Sequence, residues 1–279
     1  MKALPFIIPK PNKEAIVYEE DFEYIFYDKF HQHEEIQLSY IAKGEGTLIV
    51  GDTINNYTKG DILVLGSNLP HVFKSEKSNT KSLMLSLFFT KNSFGNEFFA
   101  LDELQPLKPF FKKVFNGFKV VSHNLQHHFI KLKHQNKFER FINLLQLLEV
   151  IQNTNYQPLS TFIYEKQYSE IEGKRMRTIM EYSMNNFQSN ISLETIASLA
   201  NMTKNAFCKY FKKRTNKTYV QFLTELRIEN ACKLLLTYND SSINEIAEFS
   251  GFNNLSNFNR QFKKLKNTTP VKYINRSDA

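Results

Sequence analysis

The chain has 279 residues, with 36 lysines and arginines against 28 aspartates and glutamates. This length allows two domains that each bury a core, and no apolar run approaches the roughly 18 residues of a membrane span. Since the chain shows no charged leader and only Cys208 and Cys232 as cysteines, we expect a cytoplasmic protein with reduced thiols, no disulfide framework and no membrane contact.

The first half of the chain has the pattern of a small β domain. From about residue 20 to 90, runs of branched and aromatic residues are separated by short turns that contain Gly, Asp or Pro. The predicted strands span residues 36–42, 47–50, 61–66 and 82–89. Several short strands joined by tight turns predict a β-sandwich or a small barrel.

A helix is predicted from about residue 125 to 152. Its apolar residues recur at steps of three and four, which places them on one face. The stripe comprises Phe138, Phe141, Ile142, Leu145 and Leu148, next to Glu149. Such a stripe either packs into the core of its own domain or forms a surface for self-association. We expect it to make the protein a homodimer.

The segment after this helix is rich in Asn and Thr and continues into Pro158, which ends the helix. A linker is predicted to extend from there to about Gly173. The predicted organisation is therefore an N-terminal domain of residues 1–152, a linker of residues 153–172 and a C-terminal domain of residues 173–279.

The C-terminal domain contains the same sequence pattern twice. Residues 193–222 return as residues 243–273, and both copies contain an Ile-Ala pair followed by a Phe-x3-Phe-Lys-Lys motif. An internal repeat of this kind is typical of a duplicated supersecondary unit. The predicted helices of this domain span residues 174–187, 193–200, 203–215, 219–238, 243–249 and 255–266.

Each copy is predicted to form a helix-turn-helix. Ala197 and Ala247 are small enough for a second helix to cross the first. Four residues later, Asn201 and Gly251 tolerate the left-handed backbone of a sharp turn. The predicted N-cap residues of the two first helices are Ser192 and Ser242, the latter in a capping box with Glu245.

The net positive charge of the chain comes from the repeat region. Residues 173–279 hold 17 lysines and arginines against 8 aspartates and glutamates, whereas residues 1–172 hold 19 against 20. A basic domain displaces counterions from nucleic-acid phosphates. The alternative is a solvated lysine face on an ordinary helical domain. The duplication favours the first interpretation, with double-stranded DNA as the partner.

The paired phenylalanines of each second helix, four residues apart, predict which flank is buried. The outward positions then lie two before, one after and two after the first Phe. The predicted base-contacting residues are Asn205, Cys208, Lys209, Ser256, Asn259 and Arg260. Asn pairs well with adenine edges and Arg with guanine. For Cys208, a half-buried thiol that touches no base is the alternative, because thiols are poor donors.

The start of each second helix favours phosphate, because its amide groups and dipole are positive there. The predicted phosphate-contacting residues are Thr203, Lys204, Asn253, Asn254 and Lys212. For any single lysine, a solvated surface position is the alternative. The predicted helix at residues 219–238 is about 30 Å long, close to the roughly 34 Å between successive major-groove windows.

The two repeats, the long helix between them and the closing segment TTPVKY at residues 268–273 resemble the DNA-binding domain of the AraC/XylS family of bacterial transcription regulators. The resemblance implies a sequence-specific regulator that contacts two adjacent major grooves. It also implies an N-terminal domain of cupin type with a helical dimerisation appendage, hence a two-domain α+β fold. RNA polymerase is a further partner that such a regulator could contact. No residue in the sequence distinguishes activation from repression.

His31 and His33, followed by Gln37 and later by His71, resemble the metal motif of cupins, in which two His, a Glu and a further His bind one metal. Gln37 takes the place of the Glu, and a neutral amide is a poor ligand beside three imidazoles. We therefore expect no metal, no cofactor and no catalytic residue. The histidines either line the barrel mouth as polar residues or bind a small-molecule effector. The predicted effector-binding residues are His31, His33, Gln37, Tyr40 and His71.

Three functions of different classes follow from the sequence. The first is an effector-controlled transcription regulator. The second is a metal-dependent cupin enzyme with an accessory helical domain, which metal analysis separates from the first. The third is a non-specific nucleic-acid-binding or protein-scaffolding module. A salt titration would show no preference among duplexes if it bound only phosphates.

Overall fold

The computed structural model describes residues 8–9, 14–76, 78–121, 124–162, 169–237 and 241–277. The chain divides into two compact units, residues 1–174 and 175–279. In the described ranges, no helix combines the length and the apolar character that crossing a membrane requires. The predicted two-domain α+β fold is confirmed, since strands dominate the first unit and helices build the second.

The described part of the first unit contains nine strands. Strands β1 to β9 span Val17–Glu23, Ile36–Lys43, Gly46–Val50, Thr53–Tyr57, Ile62–Leu65, His71–Ser75, Ser82–Phe89, Phe118–Val120 and Tyr156–Pro158. They form an antiparallel six-stranded sheet in the order β1-β7-β2-β5-β8-β9 and an antiparallel three-stranded sheet in the order β4-β3-β6. The helices of this unit are α1 (Lys108–Lys113), α2 (Gln126–Ile130) and α3 (Lys137–Asn153).

Side chains alternate between the two faces of a strand, and the central strands of the six-stranded sheet, β2, β5 and β7, are buried on both faces. Leu38, Val64 and Leu87 point to one face, where they share a core with residues of the helices. Ile41 and Leu63 point to the opposite face and belong to a second core, which lies between the two sheets. The continuous apolar sequence of β5, ILVL, fits this double burial.

The four predicted strands are confirmed as β2, β3, β5 and β7, but the predicted β region of residues 20–90 is too narrow. The sequence pattern missed β1 because it is acidic and lies at a sheet edge, and it missed β4 because the segment TINNY is polar. Strand β9 lies inside the predicted linker yet pairs with β8. The start of the predicted linker therefore belongs to the sheet.

Residues after β9 are also fastened to the sheets. Leu159 is buried in the core between them. The hydroxyl of Ser160 and the backbone N–H of Thr161 both donate to Oδ1 of Asp52, at 2.8 and 2.9 Å. Of the remaining predicted linker, residues 163–168 lie outside the described residues.

The predicted apolar stripe on α3 is not the face that packs into the core of the domain. The core residues of this helix are Asn143, Leu144, Leu147, Leu148 and Ile151. Phe138 is 71% exposed and Ile142 is 40% exposed, while Phe141 and Leu145 are only half-buried. Steps of three and four describe two neighbouring stripes on this helix, and the leucine-rich one docks.

The helices α4 to α10 span Glu170–Asn186, Leu193–Leu199, Lys204–Thr215, Tyr219–Thr237, Ile243–Phe249, Leu255–Lys266 and Pro270–Ser277. The first six confirm the predicted helices, although Tyr238, the predicted end of α7, lies outside the described residues. Helix α10 was not predicted. Its first residue is proline, which suits a helix start because it lacks only an N–H that has no partner there.

Both helix-turn-helix units have the predicted turn. Asn201 and Gly251 adopt positive φ, at 52° and 87°. The following residue, Met202 or Phe252, donates its backbone N–H to the carbonyl oxygen of the alanine five positions earlier, at 2.9 Å in each repeat. The predicted serine N-caps and the capping box are confirmed as well.

Helix α7 belongs to the cores of both repeats. In its first half, the rings of Tyr219 and Phe222 lie 5.3 and 5.6 Å from the ring of Phe211 in α6. In its second half, Ile228 and Cys232 are buried in one core with residues of α8 and α9. A single rigid helix therefore carries both units.

Arg227, in the middle of α7, ties this helix to the loop after α4. Its Nε donates to the carbonyl oxygen of Phe187 at 2.7 Å and its Nη2 to that of Ser189 at 2.8 Å. Burial lowers the pKa of this guanidinium from its usual value. A Cβ added at Gly251 would meet the same loop, 2.7 Å from the carbonyl oxygen of Phe187 and 2.8 Å from Cα of Gln188.

Replacing Gly251 by alanine is expected to lower the free energy of unfolding of the C-terminal unit by about 2–4 kcal/mol, because steric overlap adds to the strain of positive φ. The matched control is Asn201→Ala at the equivalent, exposed turn, which we expect to cost about 1 kcal/mol through backbone strain alone. Urea denaturation followed by far-ultraviolet circular dichroism measures both. Equal losses in the two variants would contradict the role of the close approach.

Candidate nucleic-acid interface and ligand cavity

The orientation of α6 is fixed by two buried rings. Phe207 and Phe211 are fully buried, and the ring of Phe207 lies 5.5 Å from that of Tyr219 in α7. Aromatic contacts of this kind add specific geometry to the area they bury. Since this flank of α6 faces α7, its opposite flank faces outward.

Helix α9 is held in the same way in the second repeat. Phe258 and Phe262 are fully buried. The ring of Phe258 lies 5.3 Å from that of Phe252, and the ring of Phe262 lies 5.5 Å from that of Tyr273. Tyr273 comes from α10, so the helix that the sequence pattern missed completes the packing of the second repeat.

The residues predicted to contact bases occupy the outward flanks of α6 and α9. The exposed ones are Asn205, Lys209, Ser256, Asn259 and Arg260. Cys208 is half-buried and carries a free thiol. The guanidinium of Arg260 donates from Nη2 to Oδ1 of Asn257 at 2.9 Å, a bond between exposed side chains that competes with water.

Thr203 and Asn254 act as N-caps of α6 and α9. Oγ1 of Thr203 accepts from the backbone N–H of Ala206, and Oδ1 of Asn254 accepts from that of Asn257. These bonds use acceptor atoms, so the Thr203 hydroxyl and the Asn254 amide keep donor hydrogens that suit a phosphate. The other predicted phosphate-contacting residues at these helices, Asn253 and Lys212, are exposed.

Lys204, at the start of α6, forms an ion pair that the sequence analysis missed. Its Nζ lies 2.6 Å from Oε1 of Glu194 in α5. The hydrogen bond to Glu194 raises the pKa of Lys204, and the same bond lowers the pKa of Glu194. Lys204 therefore stays protonated in the free protein, and the carboxylate of Glu194 offsets part of its positive potential. The sequence did contain a signal for this ion pair, because an acidic residue in the first turn of one helix is followed by a lysine at the start of the next helix.

Two further lysines of the repeats pair with α7. Nζ of Lys217 lies 2.5 Å from Oε2 of Glu225, and Nζ of Lys266 lies 2.6 Å from Oε1 of Glu229. These ion pairs attach the loop after α6 and the end of α9 to the shared helix. Besides Lys204, the exposed lysines of these two helices are Lys209, Lys212, Lys213, Lys263 and Lys264.

The first unit contains a small cavity at one end of the space between its sheets. Its volume is about 130 Å³, and its lining includes the predicted residues His31, His33, Gln37 and His71. Pockets that bind drug-sized ligands usually have volumes of about 300–1,000 Å³. The cavity therefore suits a solute of few atoms.

The three cavity histidines form a compact buried cluster. One ring nitrogen from each of His31, His33 and His71 lies within 4.8 Å of the others. His31 and His71 are joined by a pair of backbone hydrogen bonds, at 3.0 and 2.8 Å. The side chain of Gln37 extends the cluster, with Oε1 3.2 Å from Nε2 of His33.

Burial controls the protonation of this cluster. Desolvation lowers the pKa of His71 to about 3, with a smaller contribution from His33. Desolvation also lowers the pKa of His33, against the opposing effects of Gln37 and Glu35. Both imidazoles are therefore neutral at physiological pH, and their lone pairs are available to a ligand.

The structure does not bring Tyr40 to the cavity. Its ring packs on the helix face of the sheet, 5.8 Å from the ring of Phe129. Alternation along β2 explains the difference, since residues 37 and 40 point to opposite faces. The prediction that Tyr40 lines the same site is wrong for this geometric reason.

The sequence pattern did not predict four polar residues of the cavity. Glu19, Asp21, Tyr27 and Ser86 contribute to its lining. Burial raises the pKa of both carboxyl groups, with Asp21 adding to the effect on Glu19 and Glu23 adding to that on Asp21. Alternating acids in the segment VYEEDFE were the available signal, but that segment was not predicted to be a strand.

Comparison with known families assigns both units. Residues 14–93 match the family model described as an AraC-like ligand binding domain. Residues 196–276 match the model described as a helix-turn-helix domain. The first match contains the histidine cavity, and the second contains α6 and α9.

Relatives with similar sequences carry regulator names. An uncharacterised HTH-type transcriptional regulator of Bacillus subtilis, YdeC, is 26% identical over 88% of this chain and 86% of its own length. A second, from Pseudoalteromonas carrageenovora, is 37% identical over 35% of this chain and 57% of its own length. The chain spans 32% of a longer one from Staphylococcus aureus strain COL, at 22% identity over 88% of this chain.

Among solved structures, the C-terminal domain of AraT from Geobacillus stearothermophilus is 27% identical, over 37% of this chain and 84% of that one, with a TM-score of 0.35. Because this TM-score is low, the assignment of the chain to a family rests on the sequence matches. Together, the two family models and the two helix-turn-helix units identify the chain as a member of the AraC family of DNA-binding transcription regulators.

Proposed function

We propose that the protein binds a bipartite DNA site, with α6 and α9 in successive major grooves on one side of the duplex. The observation that carries this proposal is the matched register of the two helices, whose buried phenylalanines direct equivalent positions outward. The 19 residues of α7 give a connector of about 28 Å. That length is comparable to the roughly 34 Å of one helical turn of DNA.

Within this arrangement, each outward flank has a base-reading and a backbone-holding part. Arg260 suits the two acceptors of a guanine, and Asn205 and Asn259 suit adenine edges. Lys209, Ser256 and Cys208 complete the base-facing set. The helix starts hold phosphates through Thr203, Lys204, Asn253 and Asn254, with Lys212 alongside.

Arg260 and Lys204 are expected to affect DNA binding differently. Once a preferred duplex has been selected from a random library, Arg260→Ala should relax base preference in one half of the site at a cost of about 1–3 kcal/mol. Lys204→Ala should weaken all duplexes alike and reduce the salt dependence of binding. Fluorescence anisotropy on preferred and random duplexes over a range of salt measures both effects.

Glu194→Gln is the matched control for Lys204, because it removes the ion pair and leaves the lysine in place. It should strengthen binding to all duplexes alike, by about twofold to fivefold, because it removes a negative charge beside the lysine that we place on the phosphates. Equal losses on every duplex for Arg260→Ala would show that α9 does not contact bases with this flank.

A small effector in the histidine cavity is proposed to control DNA binding. The cavity lies within the part of the chain that matches a ligand-binding family. We expect solutes with few heavy atoms to raise the melting temperature of the protein and to change its affinity for the preferred duplex. Thermal-shift and anisotropy screens of sugars, organic acids, aromatic metabolites and metal ions test this. If no solute has either effect, the effector proposal fails.

We also propose that the protein is a homodimer in the cytoplasm, and a regulator and not an enzyme. Phe138 and Ile142 lie four residues apart on one face of α3 and are 71% and 40% exposed. Exposed apolar residues at this spacing are typical of a helix-mediated interface. A second copy of the chain is therefore the partner that we expect on this face.

A double substitution of Phe138 and Ile142 by glutamate should convert the dimer to a monomer in sedimentation velocity, because it places charges in the apolar interface. Leu101→Glu is the control, since Leu101 is exposed at 48% outside α3. A monomeric wild type, or a double variant that sediments as the wild type does, would contradict the proposed interface.

A further inference from the structure

The cavity histidines have fixed tautomers. Nδ1 of His31, His33 and His71 lies 2.7, 2.9 and 2.9 Å from the carbonyl oxygens of Lys29, Glu35 and Leu69. A backbone carbonyl oxygen only accepts hydrogen bonds, so each Nδ1 carries the proton. On a ring that carries its proton on Nδ1, the lone pair lies on Nε2. Backbone contacts of this kind orient histidines that bind metal ions.

The Nε2 atom of His71 has no hydrogen-bond partner among the described residues, although it is buried. The residue itself is only 1% exposed. A buried acceptor without a partner is costly to fold and needs an explanation. A ligand that accepts its lone pair, together with those of the other two rings, supplies one.

Gln37 presents an oxygen to the same point. Its Oε1 lies 3.2 Å from Nε2 of His33, and both atoms are acceptors when the proton of His33 is on Nδ1. Two acceptors at this distance repel each other unless a positive centre lies beside them. Ligand atoms that bind one ion at about 2.1 Å lie roughly 3.0–3.4 Å apart, so the observed separation fits two neighbouring ligands. The amide of Gln37 is held in place by Ser39, at 2.8 Å.

The charges around the cluster also favour a cation. Glu19 and Asp21 line the cavity, and a carboxylate oxygen of buried Glu35 lies 3.9 Å from Nδ1 of His33. Among the described lining residues there is no lysine or arginine. An anionic effector would meet no opposite charge there, whereas an ion gains from all three carboxylates.

We propose that His31, His33 and His71 bind a divalent first-row transition-metal ion through Nε2, with the side-chain oxygen of Gln37 as an additional ligand. Three imidazoles favour ions such as Zn²⁺ and Co²⁺ over Mg²⁺ and Ca²⁺, which prefer oxygen ligands. Three histidines suffice for such an ion when water fills the remaining position. The replacement of glutamate by Gln37 therefore weakens the site without removing it.

This inference deepens the proposed role of the cavity as a ligand site, because it names the class of ligand. The test uses tag-free, full-length protein treated with a chelator and then titrated with Co²⁺. Visible absorption should develop to one equivalent per chain and disappear when Zn²⁺ is added. Zn²⁺ alone should raise the melting temperature of the protein. Absence of both signals would overturn the proposal.

Two variants and a control locate the site. His71→Ala should lose at least tenfold in Co²⁺ affinity, whereas His134→Ala, which removes an exposed histidine, should bind as the wild type does. Gln37→Glu should bind at least tenfold more tightly, because a carboxylate is a stronger ligand than an amide. The gain in Gln37→Glu keeps the test decisive if His71→Ala does not fold. Unchanged affinity in Gln37→Glu would contradict the place of Gln37 in the site.

Metal binding is measured without DNA, so its outcome is separate from that of the proposed effector control. Affinity for the preferred duplex is then compared with Zn²⁺ and with chelator. A Co²⁺ spectrum with unchanged DNA affinity supports the metal site and contradicts a role of the metal ion as the effector. A change in DNA affinity with a small organic solute, but no response to metal, sinks the metal site and leaves effector control standing.

Discussion

Two pairs of buried phenylalanines pack against α7 and its neighbours. These contacts determine which residues of α6 and α9 face outward. Phe207 and Phe211 pack on the first half of this helix, and Phe258 and Phe262 share a core with its second half. Because the two pairs have the same spacing, both second helices turn equivalent positions outward. The proposed DNA contacts, the capping groups and the exposed lysines all follow from that register.

The N-terminal unit is organised by a different constraint, the alternation of side chains along the central strands β2, β5 and β7, which are buried on both faces. One face packs against helices, and the other faces the space that contains the histidine cavity. Alternation decides that Gln37 reaches the cavity and that Tyr40 does not. Backbone carbonyls then fix the histidine rings, so the geometry of the cluster is set before any ligand arrives.

Local signals in the sequence were sufficient where one residue type determines the backbone. The serine caps, the turns at Asn201 and Gly251 and the helices α4 to α9 were predictable, because capping and positive φ depend on single positions. The buried stripe of α3 and strand β9 were not predictable from the sequence. Tertiary packing decides which of the two apolar stripes of α3 is buried, and it decides whether the short segment of β9 pairs with a strand. The ion pair of Lys204 and the acids of β1 depend on contacts between elements, which spacing along the chain does not report.

The central claim, that α6 and α9 both enter DNA by their outward flanks, can be tested with two thiols at equivalent positions. Cys208 in α6 corresponds to position 259 in α9, and the Asn259→Cys variant supplies the second thiol. Burial raises the pKa of Cys232 to about 11, so this third thiol stays unreactive and serves as an internal control. Alkylation followed by mass spectrometry should show that the preferred duplex slows modification at both positions 208 and 259. Modification of either thiol at the same rate with and without that duplex would contradict the account.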